Sequence, residues 1–258
     1  MTVQLDRDPR GIATITIDCA AKLNALDSPT LEALAQAAVS AGNQPGARAV
    51  VLRGAGARAF SGGADIVEMS GLSGPESARA FITRVHHTCD ALRRAPVPVI
   101  ARMEGYVLGA GLEIAASCDL RIASETALFG MPEVRIGLPS VVEAALLPAL
   151  IGWGRTRRLL LTGETIDASQ ALAWGLVEEV VPAGELDAGT ERLLAAILAS
   201  GAQAVRLQKM LIGDWEELTP GEAVRRGIGV FAEAWQADEP RRMIGASLQA
   251  LRERKREP

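Results

Sequence analysis

The sequence predicts an α/β protein: a largely parallel, covered sheet followed by a helical region. Three observations carry this. Short apolar stretches at 12–18, 49–53 and 97–103 read as strands, with helical stretches between them. Short apolar strands joined by helical crossovers are the signature of parallel sheets covered on their faces. The last hundred residues change character and read almost wholly as helices. With 258 residues and 48% hydrophobic content the chain has ample length for a real core, which excludes disorder as the main state.

The elements follow in order. Ala13, Ile15 and Ile17 share one face of the strand at 12–18. Ser28-Pro29 reads as an N-cap and a first-turn proline, with Leu31, Leu34, Ala35 and Ala38 at helical spacing behind it. Ala78, Phe81, Ile82, Val85, Cys89 and Leu92 form an apolar helical stripe. A further strand is expected at 118–123. Helices are expected at 155–161, 168–174, 186–200, 202–211 and 221–237, with one strand-like stretch at 176–181. There is no internal repeat and no flexible linker in the sequence pattern.

Charge and composition narrow the function. A formal net charge of −4 gives no global attraction to nucleic acid, and the basic run Arg252, Arg254, Lys255, Arg256 reads as a solvated helix end. The central uncharged stretch at 144–154 is far short of the ~20 residues of a membrane helix, and the first ten residues lack a signal-peptide pattern. A cytoplasmic protein is expected. Cys19, Cys89 and Cys118 are odd in number and widely spaced, as reduced thiols are. The only histidines, His86 and His87, are adjacent, which disfavours a histidine metal centre or a Ser-His triad; no metal site is expected.

One motif misleads. Gly54-Ala55-Gly56-Ala57-Arg58-Ala59 fits a dinucleotide fingerprint, but Phe60-Ser61-Gly62-Gly63 follows where that fingerprint needs a helix. Three other segments hold the candidate chemistry. Phe60 to Ile66 is glycine-rich, so a ligand can approach its backbone closely. Gly105 to Glu113 puts small residues at a helix start, where free N–H groups suit an anionic oxygen, and sets Glu113 among apolar neighbours. Phe129-Gly130-Met131-Pro132-Glu133 places a second carboxylate in an apolar stretch.

Together and in this order these segments resemble the crotonase (enoyl-CoA hydratase/isomerase) superfamily. The resemblance includes Lys22-Leu23-Asn24-Ala25-Leu26, Cys118-Asp119-Leu120-Arg121-Ile122-Ala123, Leu161-Thr162-Gly163-Glu164 and Trp174-Gly175-Leu176-Val177. It implies a crotonase-like core of repeated ββα units at 1–195 and a helical C-terminal trimerisation region at 196–258. It also implies an acyl-CoA thioester substrate, its carbonyl held by the backbone N–H groups of Ala64 and Ala110 as an oxyanion hole. Lys22, Ala64, Asp65, Ile66 and Ala110 would line the CoA or substrate, with Phe231 and Arg254 as C-terminal contacts. Val67 stands where the family often has a lysine.

The hydratase branch of the family uses two glutamates, and both positions are glutamate here. The resemblance assigns Glu133 to the C2 proton and Glu113 to the water that attacks C3. The expected enzyme is an enoyl-CoA hydratase forming homotrimers or hexamers, with no cofactor beyond the CoA of its substrate. Alternatives are a Δ3,Δ2-enoyl-CoA isomerase, another acyl-CoA-processing crotonase such as a decarboxylase or hydrolase, and a non-catalytic acyl-CoA binder. The chain departs from many hydratases at Pro139-Ser140-Val141-Val142-Glu143-Ala144. Ser140 and Glu143 have the spacing of a capping box. The competing reading makes Glu143 a third carboxylate touching substrate.

Overall fold

The computed structural model describes residues 2–254, with the side chain of Arg254 outside the described part. The chain opens with β1 (Val3–Arg7) paired antiparallel to β2 (Ile12–Ile17), whose Ile15 and Ile17 are fully buried. α1 (Ser28–Asn43) follows. Its cap is not Ser28, as the sequence suggested, but Asp27, whose carboxylate accepts the Thr30 N–H at 2.9 Å. Ser28 is inside the helix, and its hydroxyl donates to the Glu68 carboxylate instead.

β3 (Ala49–Gly54) runs parallel to β2, and β5 (Val99–Met103), β7 (Leu120–Ser124) and β10 (Glu179–Val181) extend the sheet in the order β1-β2-β3-β5-β7-β10. α3 (Pro75–Arg93) buries Phe81, Val85, Cys89 and Leu92 and packs on α1. Ala78, counted in the expected stripe, is exposed because the helix's first turn lies beyond its buried face.

A second sheet supplies the other strand of each ββα unit that the resemblance implies, at places where the sequence pattern shows no strand. β4 (Ala59–Ser61), β6 (Tyr106–Leu108) and β8 (Leu128–Gly130) run parallel, and β9 (Thr165–Asp167) closes the edge antiparallel to β8. These strands have three residues each, too few to show an alternation. They complete three ββα-like repeats. β3 and β4 lead to α2 (Ile66–Ser70), β5 and β6 to α4 (Ala110–Ala116), and β7 and β8 to a 3-10 turn at Pro132–Ile136. In each repeat the first strand joins the large sheet and the second joins the small one. The glycine-rich run at 54–59 is the link from β3 to β4, with no helix inside it.

α5 (Leu147–Thr162) is longer than expected and breaks at Gly152, which has φ +77°. α6 (Ala168–Trp174) matches the sequence reading, and Asp167 caps it. α7 (Leu186–Ala199) spans the point where the chain divides into two compact units, 1–194 and 195–258. In the second unit α8 (Ala202–Glu217) and α9 (Pro220–Ala234) bury Leu207, Leu211 and Val230 against each other. α10 (Glu239–Arg254) begins with Glu239, whose carboxylate accepts the N–H groups of Gln203 and Ala204 and so caps α8. No helix among the described residues is long and apolar enough to cross a membrane.

Candidate active site

The small sheet gathers the candidate residues. β4, β6 and β8 are parallel neighbours, so the segments that leave them emerge along one edge. Those segments hold Ala64, Ala110 and Glu133 in turn.

After β4 the chain is fastened to the loop at 22–26. Gly62 N–H donates to Leu23 O at 2.7 Å, Leu26 N–H to Gly63 O at 2.9 Å, and Asp65 N–H to Leu26 O at 3.0 Å. The loop itself is held by Asn24. Its amide donates to Ala59 O at 2.7 Å and Ala55 O at 3.1 Å, and its carbonyl accepts the Cys19 N–H at 2.9 Å. Asn24 is fully buried with φ +53°, a left-handed conformation that asparagine tolerates. Gly63, at φ +95°, lies so close to β6 that a methyl group there would stand 2.8 Å from Leu108 O and 3.6 Å from the Ala110 nitrogen. The backbone on both sides of Ala64 is therefore fixed, and it runs beside the backbone of Ala110.

After β6 the chain turns through Gly109 into α4, every residue of which is buried. Ala110 is the first residue of that helix, so its N–H has no partner one turn back. Gly109 has φ +51°, and the carboxylate of Glu133 fills the space a side chain there would need. Glu133 thus reaches from the end of β8 to the head of α4.

Glu113, 4% exposed, projects from the first turn of α4. Burial raises its pKa from 4.5 to about 8, reinforced by the negative charges of Glu133 and Glu143. A hydrogen bond from Ala144 N–H to Glu113 Oε1, at 3.1 Å, offsets part of this. At neutral pH Glu113 therefore keeps its proton. Glu133 Oε2 accepts the Ser140 hydroxyl at 2.7 Å. Two carboxylates with different donors are held at one place, one of them able to give a proton.

Ser140 and Glu143 do not form a capping box. The 3-10 turn Val142–Leu146 has no side-chain cap, and Ser140 is turned to Glu133. Glu143 is 6% exposed, with Oε1 2.7 Å from His86 Nδ1 on α3. The motif has the spacing of a cap, but Val142 at φ +40° breaks the helical path that a capping box requires.

The other sequence-derived residues divide. Lys22 Nζ donates to Asp65 Oδ2 at 3.4 Å, and Lys22 is well exposed. Asp65 caps α2, accepting from Val67 N at 2.8 Å and Glu68 N at 3.1 Å. The Glu68 N–H, helped by Lys22, holds its carboxyl below the usual range against the opposing effect of burial. Its carboxylate is thus engaged within the protein, as are its N–H, which donates to Leu26 O, and its carbonyl, which accepts the Met69 N–H. Ile66 and Val67 are exposed, and so is Phe231 on α9 in the second unit. The Arg254 side chain lies outside the described residues. Sequence reasoning gave Asn24 and His86 no role. Asn24 stood inside a quoted motif without a distinguishing signal, and His86 was weighed only as a metal or triad ligand.

A core of repeated ββα units that gathers backbone N–H groups and two glutamates at one edge is crotonase-like. The chain belongs to the enoyl-CoA hydratase/isomerase family, whose model matches residues 7–257. It is 34% identical over 241 residues to a short-chain-enoyl-CoA hydratase of Clostridium acetobutylicum, covering 92% of this chain and 91% of that protein. It is 36% identical over 201 residues to a crotonyl-CoA hydratase of Syntrophomonas wolfei, covering 77% and 76% respectively. A solved enoyl-CoA hydratase of Mycobacterium smegmatis superposes with a TM-score of 0.94 at 30% identity, covering 97% of each chain.

Proposed function

We propose that the protein is an enoyl-CoA hydratase, adding water across the C2=C3 bond of a 2-enoyl-CoA thioester. The observation that carries this reading is the pair Glu113 and Glu133, on separate repeats, brought to the edge where Ala64 and Ala110 present their backbone. The family and the hydratase names of its relatives support it.

The thioester carbonyl accepts from the N–H groups of Ala64 and Ala110. As negative charge moves onto that oxygen, two preorganised donors in a dry site stabilise it, and losing one such donor costs ~3–4 kcal/mol. Lys22 and the exposed side chain of Ile66 line the CoA moiety. The reaction needs one carboxyl group protonated and one ionised. Burial leaves the proton on Glu113 in the free site. A water bridging the two groups passes it to Glu133, and Glu113 is then free to act as the base. Glu133 donates to C2 while Glu113 takes a proton from the water whose oxygen bonds to C3. One water is consumed, and no cofactor beyond the substrate's CoA takes part.

The test follows the loss of the conjugated enoyl-thioester absorbance across acyl lengths. The hydratase reading expects loss of absorbance with formation of 3-hydroxyacyl-CoA. Tight CoA binding with no turnover on any enoyl-CoA would favour a binder instead.

The same reading extends to a homotrimer or hexamer in the cytoplasm. Val224, Ile228 and Phe231 form an exposed apolar stripe on α9 that Trp235 continues just past its end, and Ile244, Leu248 and Leu251 form another on α10. Stripes of this kind fit subunit contacts. Sedimentation at micromolar concentration should show a species three or six times 27.1 kDa, and a monomer alone would contradict the assembly.

A further inference from the structure

We infer that His86 and Glu143 are a positioning pair that sets both reacting carboxylates through the segment 140–144. The catalytic consequence rests on the hydration reading of Glu113 and Glu133. The positioning itself rests on contacts that do not depend on it.

The segment touches both carboxylates, one from each end. Ser140 Oγ donates to Glu133 Oε2 at 2.7 Å, and Ala144 N–H donates to Glu113 Oε1 at 3.1 Å. Between them Val142 has φ +40°. A β-branched residue rarely adopts that conformation, and such strain persists only where its surroundings over-determine it. The tie beside Val142 is Glu143, whose Oε1 lies 2.7 Å from His86 Nδ1. His86 is on α3, a long helix packed into the core, so the segment is anchored to a rigid element.

Glu143 is otherwise a costly residue to bury. It is 6% exposed, and its Oε2 is buried with no protein donor among the described residues. An apolar side chain would serve a 3-10 turn in the core better. Its tie to His86 explains its presence. Released from that tie, Val142 relaxes to ordinary backbone, Ser140 and Ala144 swing with it, and each carboxylate loses a donor. Glu143 also acts on Glu113 through space, since its charge helps Glu113 hold a proton. The other titratable groups facing Glu113 are Glu133 and the Cys89 thiol of α3, which burial pushes well above its usual range.

The experiment compares His86→Ala, Glu143→Leu, Glu143→Gln and the double variant of the first two in the full chain. His86 is half exposed, so its removal leaves no interior cavity. For hydration of a 2-enoyl-CoA, His86→Ala and Glu143→Leu should each lower kcat at least about tenfold, with KM within about threefold, as for groups acting on the chemical step. The double variant should be no slower than the slower single, because the pair acts as one unit. Glu143→Gln still accepts from His86 and should recover most of kcat.

A second readout is independent of turnover: the Glu113 carboxyl titration by ¹³C NMR, assigned by its absence in Glu113→Gln. His86→Ala frees the segment, removes the Ala144 donor and should raise the midpoint above the wild-type value. Glu143→Gln keeps that donor, removes a negative charge and should lower it. Unchanged midpoints, or shifts of the same sign in both variants, overturn the inference whatever the rates. So does an unaltered kcat in His86→Ala when the wild type hydrates. A wild type with no hydratase activity would refute the hydration reading, while opposite midpoint shifts would still establish the positioning pair.

Discussion

The carboxylate of Glu133 occupies the space beside Gly109 where any other residue would carry its side chain. One residue therefore serves two needs at the head of α4. It gives the chain a φ of +51°, and its missing side chain lets the carboxylate of a separate repeat come up against the head of α4.

Gly109→Ala should accordingly fail in function more than in folding. The added methyl group displaces Glu133, and the backbone strain costs ~1–3 kcal/mol. Turnover should fall by more than about a hundredfold, since misplacement of a reacting group by ~1 Å can cost that much. Thermal unfolding alongside a turnover assay checks both. Near-normal turnover in the variant would mean that Glu133 acts from another position.

Glu133→Gln should lower turnover by ~10²–10⁴-fold, the usual contribution of a general acid or base. The Gln side-chain carbonyl can still accept from Ser140, so the geometry and CoA affinity should be nearly unchanged. Retention of more than about a tenth of the wild-type rate would contradict the assignment of the C2 proton.

Glu113 makes a prediction about stability. In the unfolded chain its carboxyl titrates near 4.5, and in the folded chain near 8. Between those values the folded protein holds a proton that the unfolded chain has released, so this group's contribution to stability falls as pH rises from about 4.5 to about 8. Glu113→Gln removes that dependence. Relative to wild type the variant should gain stability, on the order of a few kcal/mol, between pH 5 and pH 9. Denaturant unfolding at both pH values checks it, and an equal difference at the two would contradict the raised pKa.

The centre of the large sheet was legible in the sequence because β2, β3 and β5 are long enough to be apolar runs, as at 49–53 and 97–103. The small sheet was not. Strands of three residues carry no period, yet β4, β6 and β8 are what bring Ala64, Ala110 and Glu133 to one edge. The site residues were named from ordered motifs, which say nothing about how they meet. Ser140 and Glu143 show the limit of local spacing. They fit a capping box as a string, but Ser140 bonds seven residues back and Glu143 bonds to a helix 57 positions away. No local rule contains either partner. The misplaced cap of α1 has the opposite scale: two capping residues stood side by side, and a distant partner, Glu68, took Ser28.

Addition of water to an enoyl thioester by Glu113 and Glu133, as proposed, leaves the water's oxygen in the product. The most direct measurement is mass analysis of the product after turnover of a 2-enoyl-CoA in water enriched in ¹⁸O. One ¹⁸O is expected in the product, at C3, and its loss at matched enzyme concentration in both Glu113→Gln and Glu133→Gln. Product that carries no ¹⁸O, with its double bond moved from C2=C3 to C3=C4, would contradict it.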